Sequence, residues 1–207
     1  MLVGGCSQSL FTQDKFAERP RATAADIARV HDPDALRADL DEIVALHERA
    51  CPNPYLRASK ESIRVLADRL KASIDRPMTR REFLPLVMEL QAAYASDHIS
   101  QPVPQEDLDA AFARGERLLP FRAEPRDGEL VVIAVSEGET GIEPGDRIMR
   151  IGGIPAADHV ARLRTLVPAE TERSRDASFL ARAFRSLSWA AGITLPTRSE
   201  EHTSELQ

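Results

Sequence analysis

Apolar residues recur at helical spacing through the first half of the chain and at strand spacing in part of the second. Leu36, Leu40, Ile43 and His47 share one face of a helix that Asp32 can cap and Pro33 can start. Cys51-Pro52-Asn53-Pro54 ends it, because two prolines remove donors and hold the residues before them extended. Ser59 opens a second helix with Ile63, Leu66, Leu70 and Ile74 in line, and Pro77 closes it. Thr79 and Glu82 have capping-box spacing for a third helix carrying Phe83, Val87, Leu90 and Tyr94, which Pro85 is expected to kink. A short fourth helix, over about 106–114, is expected to stop at Gly115.

From Leu118 the period changes. Leu130-Val131-Val132-Ile133-Ala134-Val135 is too short and too β-branched for a helix, and Asp127-Gly128 before it signals a hairpin turn. Gly141-Ile142-Glu143-Pro144-Gly145-Asp146 reads as a turn, 146–151 alternates like a strand, and Gly152-Gly153 turns the chain again. A helix is expected over about 156–167. A last one, over about 177–191, would carry Phe179, Leu180, Ala183, Phe184 and Leu187 on its apolar face. Residues 7–31 are polar without sustained periodicity and suit a linker or loosely docked arm. The expected class is α+β, a helical bundle over 32–117, a small β-containing module over 118–175 and a further helix over 176–197.

Composition narrows the class without naming a function. The chain has 207 residues, 33 acidic against 27 basic side chains and a net charge of -6. With 43% apolar residues and a mean hydropathy of -0.31, it can bury roughly two-thirds of its unfolded surface in one large or two small domains. The charge argues against a nucleic-acid groove, which needs a clustered basic face. No run of about 18 apolar residues could span a bilayer. Two cysteines, Cys6 and Cys51, are too few for a disulfide framework or a four-cysteine metal module.

Both ends resemble something other than packed protein. Val3-Gly4-Gly5-Cys6 is similar to a bacterial lipoprotein cleavage site with Cys6 as the lipid-bearing residue; the alternative is a surface cysteine. The residues before Cys6 are too few for a complete signal peptide, so a truncated or misplaced start goes with the lipoprotein reading. The stretch 198–207, RSEEHTSELQ, resembles at every position the translation of a short-read sequencing adapter. Such a tail is not expected to pack. Phe179, Phe184 or Trp189 on the preceding helix would then be left exposed, awaiting a further domain.

The segment Gly141 to Ala156, G-I-E-P-G-D-R-I-M-R-I-G-G-I-P-A, resembles the turn, strand and glycine turn that precede a short helix in PDZ domains. The resemblance implies a PDZ-like, partly open β-barrel that binds extended peptides by strand addition. Leu118-Leu119-Pro120-Phe121 stands where the loop gripping a terminal carboxylate should fall, making Leu119 and Phe121 candidate peptide-binding residues. Pro120 departs from the pattern, since it has no N–H to give a carboxylate.

The helical half points the same way. Cys51-Pro52-Asn53-Pro54-Tyr55-Leu56, Ser59-Lys60-Glu61 and Arg76-Pro77-Met78-Thr79-Arg80-Arg81-Glu82-Phe83 resemble the N-terminal region of tail-specific (C-terminal processing) serine peptidases. In the branch they match, a helical domain precedes a PDZ-like domain and a catalytic domain; the resemblance runs over about 33–192. Cys51 stands in place of the usual histidine, and Ser96-Asp97-His98-Ile99-Ser100 in place of a G-D-G-H-T-like segment. The resemblance makes His98 the candidate general base, which would take the proton of an attacking serine, with Asp97 as a weaker candidate for orienting its ring. No matching serine or oxyanion pattern follows Val167, so the catalytic domain is absent and this chain is expected to be inactive.

The implied partners are protein or peptide substrates in the cell envelope, with membrane anchoring through a lipid at Cys6, no nucleic acid, no cofactor and no metal. His47-Glu48-Arg49-Ala50-Cys51 imitates a zinc helix, but two ligands do not make a site. His31, His159 and His202 have no supporting neighbours in the sequence. The rival readings are a non-catalytic envelope adaptor that binds protein tails and a family member that has lost catalysis.

Overall fold

The computed structural model describes residues 22–99, 102–126, 129–138, 141–178 and 184–193. Order begins earlier than the pattern suggests. Thr23 and Asp26 form a reciprocal capping box that starts a short helix α1, Ala24–Ala28, inside the expected linker. Strand β1, Val30–His31, then pairs antiparallel with β2, Met78–Thr79, in the register Val30↔Thr79. The linker reading of 7–31 is corrected over these residues: they carry no apolar period, but local capping and one strand pair order them.

Helices α2, Pro33–Ala50, and α3, Lys60–Ala72, start where the sequence places them. Asp32 accepts from the Asp34 N–H at 2.8 Å, and Ser59 from the Ser62 N–H at 3.0 Å. Arg37 of α2 donates to the carbonyls of Lys71 and Ile74, tying α2 to the end of α3. Helix α4, Arg80–Ala92, opens with the Thr79–Glu82 capping box and continues through Pro85. The Thr79 N–H and the Arg76 guanidinium, both bonded to Glu82, hold its carboxyl down to about 2. Helix α5, Gln105–Ala113, ends ahead of Gly115, whose φ of 84° suits a residue without Cβ.

The second half is α+β with small open sheets, and no closed barrel forms among the described residues. Strands β3, Phe121–Arg126, and β4, Glu129–Val135, make an antiparallel hairpin from Phe121↔Val135 to Arg126↔Glu129, with a register shift after Arg122. The expected Asp127-Gly128 turn lies outside the described residues. Strand β5, Arg147–Ile148, adds to β4 through Leu130↔Ile148, leaving β3 at the edge of the order β3-β4-β5. The single strand expected over 146–151 is broken at Met149. Its second part, β6 (Arg150–Ile151), pairs instead with β7 (Ile154–Pro155) across Gly152 and Gly153. Both glycines have positive φ, 54° and 76°, as a two-residue hairpin connection requires.

Helix α6, Ala156–Arg164, follows. Helix α7 covers Glu172–Ser178 and α8 covers Phe184–Ala190; Phe179, Leu180 and Ala183, between them on the expected final helix, lie outside the described residues. Asp97 explains the early start of α7, because it accepts from the Glu170 N–H at 3.1 Å and from Ser174 Oγ at 3.3 Å.

Two hydrophobic cores meet at α4. One holds Leu36, Leu40, Ile63, Leu70, Ile74, Phe83, Leu90 and Tyr94. The other holds Leu84, Met88 and Leu108 with Phe121, Leu130, Val132, Ile151, Leu163, Phe184 and Trp189. Helix α4 therefore divides its residues between them, and Leu108 and Ala111 of α5 pack with the β strands, so the expected boundary at 117 does not separate the cores. Of Phe179, Phe184 and Trp189, one or more of which was expected to be left exposed, Phe184 and Trp189 are each 1% exposed, because α8 packs back onto the chain's own edge strand and α4; Phe179 lies outside the described residues.

Candidate functional site

The sequence-predicted residues are not gathered in one place. His98 is exposed in the turn after α4, where its N–H donates to Ser96 Oγ at 3.3 Å. Asp97 is occupied at the start of α7 and does not orient the His98 ring. Leu119 and Phe121 are 0% and 1% exposed, so their side chains fill the core rather than line an open loop. Cys6 lies outside the described residues.

The Cys51–Leu56 segment performs a structural task. The Tyr55 hydroxyl donates to Glu48 Oε1 at 2.5 Å, and its ring stacks toward Tyr94, 6.2 Å between centroids. Burial and the Glu48 carboxylate push the Tyr55 phenol up to about 12. Tyr94 in turn stacks on His47 at 4.4 Å, whose Nδ1 lies 2.8 Å from the Ile43 carbonyl. His47 is thus engaged within the helical core. Among the described residues, no group of three His, Cys, Asp or Glu side chains could hold a metal ion.

A polar and aromatic cluster lies around α8, and sequence reading missed it. Phe184 sits between two rings, with centroids 6.0 Å from Phe121 of β3 and 6.0 Å from His159 of α6. Ser188 Oγ donates to the Phe184 carbonyl at 2.7 Å, and His159 Nε2 lies 3.2 Å from the same Oγ. Because the serine proton is committed to a carbonyl, the imidazole serves this contact as donor from Nε2, and Ser188 is not poised as a nucleophile. Burial pushes the His159 pKa down to about 4, with Arg162 adding in the same direction, so the ring is neutral near pH 7.

On its other side Trp189 is clamped. The Arg81 guanidinium lies 4.1 Å above the indole ring, and Arg81 pairs with Glu116 Oε2 at 2.6 Å. The same carboxylate oxygen accepts from Trp189 Nε1 at 3.1 Å. Beside this clamp opens a groove of about 740 Å³, bordered by Arg76, Arg81, Asp107, Arg114, Arg162 and Trp189. Most of its charges are matched internally: Arg76 with Glu82 at 2.8 Å, Arg114 with Glu116 at 2.7 Å, and Arg80 with Asp107 at 2.7 Å. Burial raises the Asp107 carboxyl above its ordinary range against the pull of Arg80.

No local signal could have exposed this cluster, since His159 and Ser188 are 29 residues apart and Trp189 and Glu116 are 73 apart. No known protein family matches the chain, and no curated protein is similar to it. No helix among the described residues is long and apolar enough to cross a membrane.

Proposed function

We propose that this chain is the substrate-recognition part of a bacterial tail-specific serine peptidase, in which a PDZ-like module captures protein or peptide tails for hydrolysis by a serine outside the chain. The observation that carries the reading is the edge position of β3 among the described strands, in a module where α6 follows the Gly152-Gly153 turn and packs on β4. An edge strand presents unpaired backbone groups, and peptide recognition by strand addition uses that feature. In this reading the backbone around 118–121 meets the peptide, and the exposed His98 imidazole is the base. Action in the cell envelope, anchored through a lipid at Cys6, belongs to the same proposal.

The test is fluorescence anisotropy with labelled peptides ending in an apolar residue. Binding that needs a free terminal carboxylate supports the reading; equal binding of the amidated peptide overturns it. The chain itself should not cleave casein. Time-dependent cleavage abolished by His98→Ala would show that it contains its own catalytic machinery.

The burial of Phe184 and Trp189 favours a second reading, a non-catalytic peptide-binding adaptor, because α8 needs no further domain to cover it. Fluorophosphonate labelling of the natural protein separates the two: the peptidase reacts and the adaptor does not.

A further inference from the structure

We propose that α8 occupies the peptide-adding crevice of its own chain, so that an extended peptide binds only by displacing this helix. The inference rests on the peptide-binding reading above and goes beyond it in naming what holds the site closed.

Three observations converge. Among the described strands β3 pairs with β4 and stands at the end of the order β3-β4-β5, and α8 packs against it. Phe184 inserts between Phe121 of the edge strand and His159 of the flanking helix, and Ser188 ties α8 to the same histidine. This is the space a strand-adding ligand would need, with one aromatic side chain already in it. The third observation is how α8 is held. The described part of α8, Phe184–Ala190, is fixed by side-chain contacts to other elements. Away from β3 and α6, those contacts centre on Arg81 and Glu116 around Trp189. Loosening this clamp frees α8 without touching Phe121 or His159.

The chain has a single tryptophan, and it lies on α8, where it is 1% exposed. Displacement therefore has an intrinsic reporter: Trp189 emission should shift to the red as peptide binds. The experiment titrates the full chain with an unlabelled peptide ending in phenylalanine, read by Trp189 emission. The labelled form, read by anisotropy, is compared among native protein, Arg81→Gln and Phe184→Ala, each first shown by circular dichroism to be folded.

Competition from α8 lowers the apparent affinity by the fraction of molecules with the crevice open, so either variant should bind about tenfold tighter than native. Binding by Arg81→Gln but not by native protein also supports the proposal. Binding to native protein with unmoved Trp189 emission, or equal affinities across the three proteins, overturns it while leaving the peptide-binding reading intact. No binding by any of the three overturns both.

Discussion

The two cores that share α4 are held by different kinds of contact. In the helical core, neighbours in sequence set each helix start: Asp32, Ser59 and Thr79 cap α2, α3 and α4. In the α+β core the decisive contacts are remote. Trp189 meets Arg81 from 108 residues away, and a buried Ser188–His159 bond joins α8 to α6. The first arrangement is assembled from local rules and closed by burial, whereas the second exists only when distant segments are already in place. The second core, which buries His159, is the one expected to respond to pH.

The largest effects should come from the cores themselves. Leu40→Ala and Trp189→Ala each remove a fully buried side chain, at a cost of about 2–5 and 3–5 kcal/mol respectively. Because α4 contributes Phe83 and Leu90 to one core and Leu84 and Met88 to the other, the two should unfold together. Leu40→Ala should then lower the urea midpoint read from Trp189 fluorescence as much as the midpoint read from circular dichroism. A Trp189 midpoint unmoved by Leu40→Ala would show that the cores are independent.

The next effect is confined to the α+β core. Burial holds the His159 pKa at about 4 in the folded chain, against 6.5 for a free histidine, so the unfolded chain binds the extra proton between those values. The stability associated with the neutral ring is complete above pH 6.5 and lost as pH falls toward 4, by about 3 kcal/mol. Asp107, whose carboxyl is raised, acts with the opposite sign, so the comparison must be made between native protein and His159→Leu. The variant should lack most of the fall in urea midpoint between pH 7 and 4; an unchanged fall would place the acid sensitivity elsewhere.

This contrast also sets what could be read from the sequence. Helices α2 and α4, the β4 strand and the Gly152-Gly153 turn were legible because Asp32, Thr79 with Glu82, the β-branched run and paired glycines each dictate backbone within a few residues. The resting place of α8 was not, because an apolar face does not specify which surface will cover it. His159 looked isolated because its partner approaches from another helix. Conversely, His98 and Leu119 stood out through resemblance, yet their neighbours reveal an exposed turn and a core position rather than a joined site.

A smaller change tests the helix shared by both cores. Thr79→Ala removes the hydroxyl that accepts from the Glu82 N–H and frees the carboxylate that accepts from the Thr79 hydroxyl. The expected loss is about 1 kcal/mol, and both cores should report it equally. A loss seen only by Trp189 fluorescence would mean that the start of α4 serves the α+β core alone.

The smallest expected effects mark where both regions face solvent. Leu56, in the connection between α2 and α3, is 71% exposed, and Met149, between β5 and β6, is 64% exposed. Neither can contribute much transfer free energy to the fold, because most of each side chain remains in water in the native state. Leu56→Ser and Met149→Ser should therefore each change stability by no more than about 0.5 kcal/mol. The pair is informative because Met149 interrupts the strand that the alternation predicts, and its side chain points away from both cores. If Met149→Ser alone lowered the urea midpoint in a manner that depended on protein concentration, that face would be covered by another copy of the chain; a midpoint independent of concentration, with Leu56→Ser equally silent, places both residues on free surface.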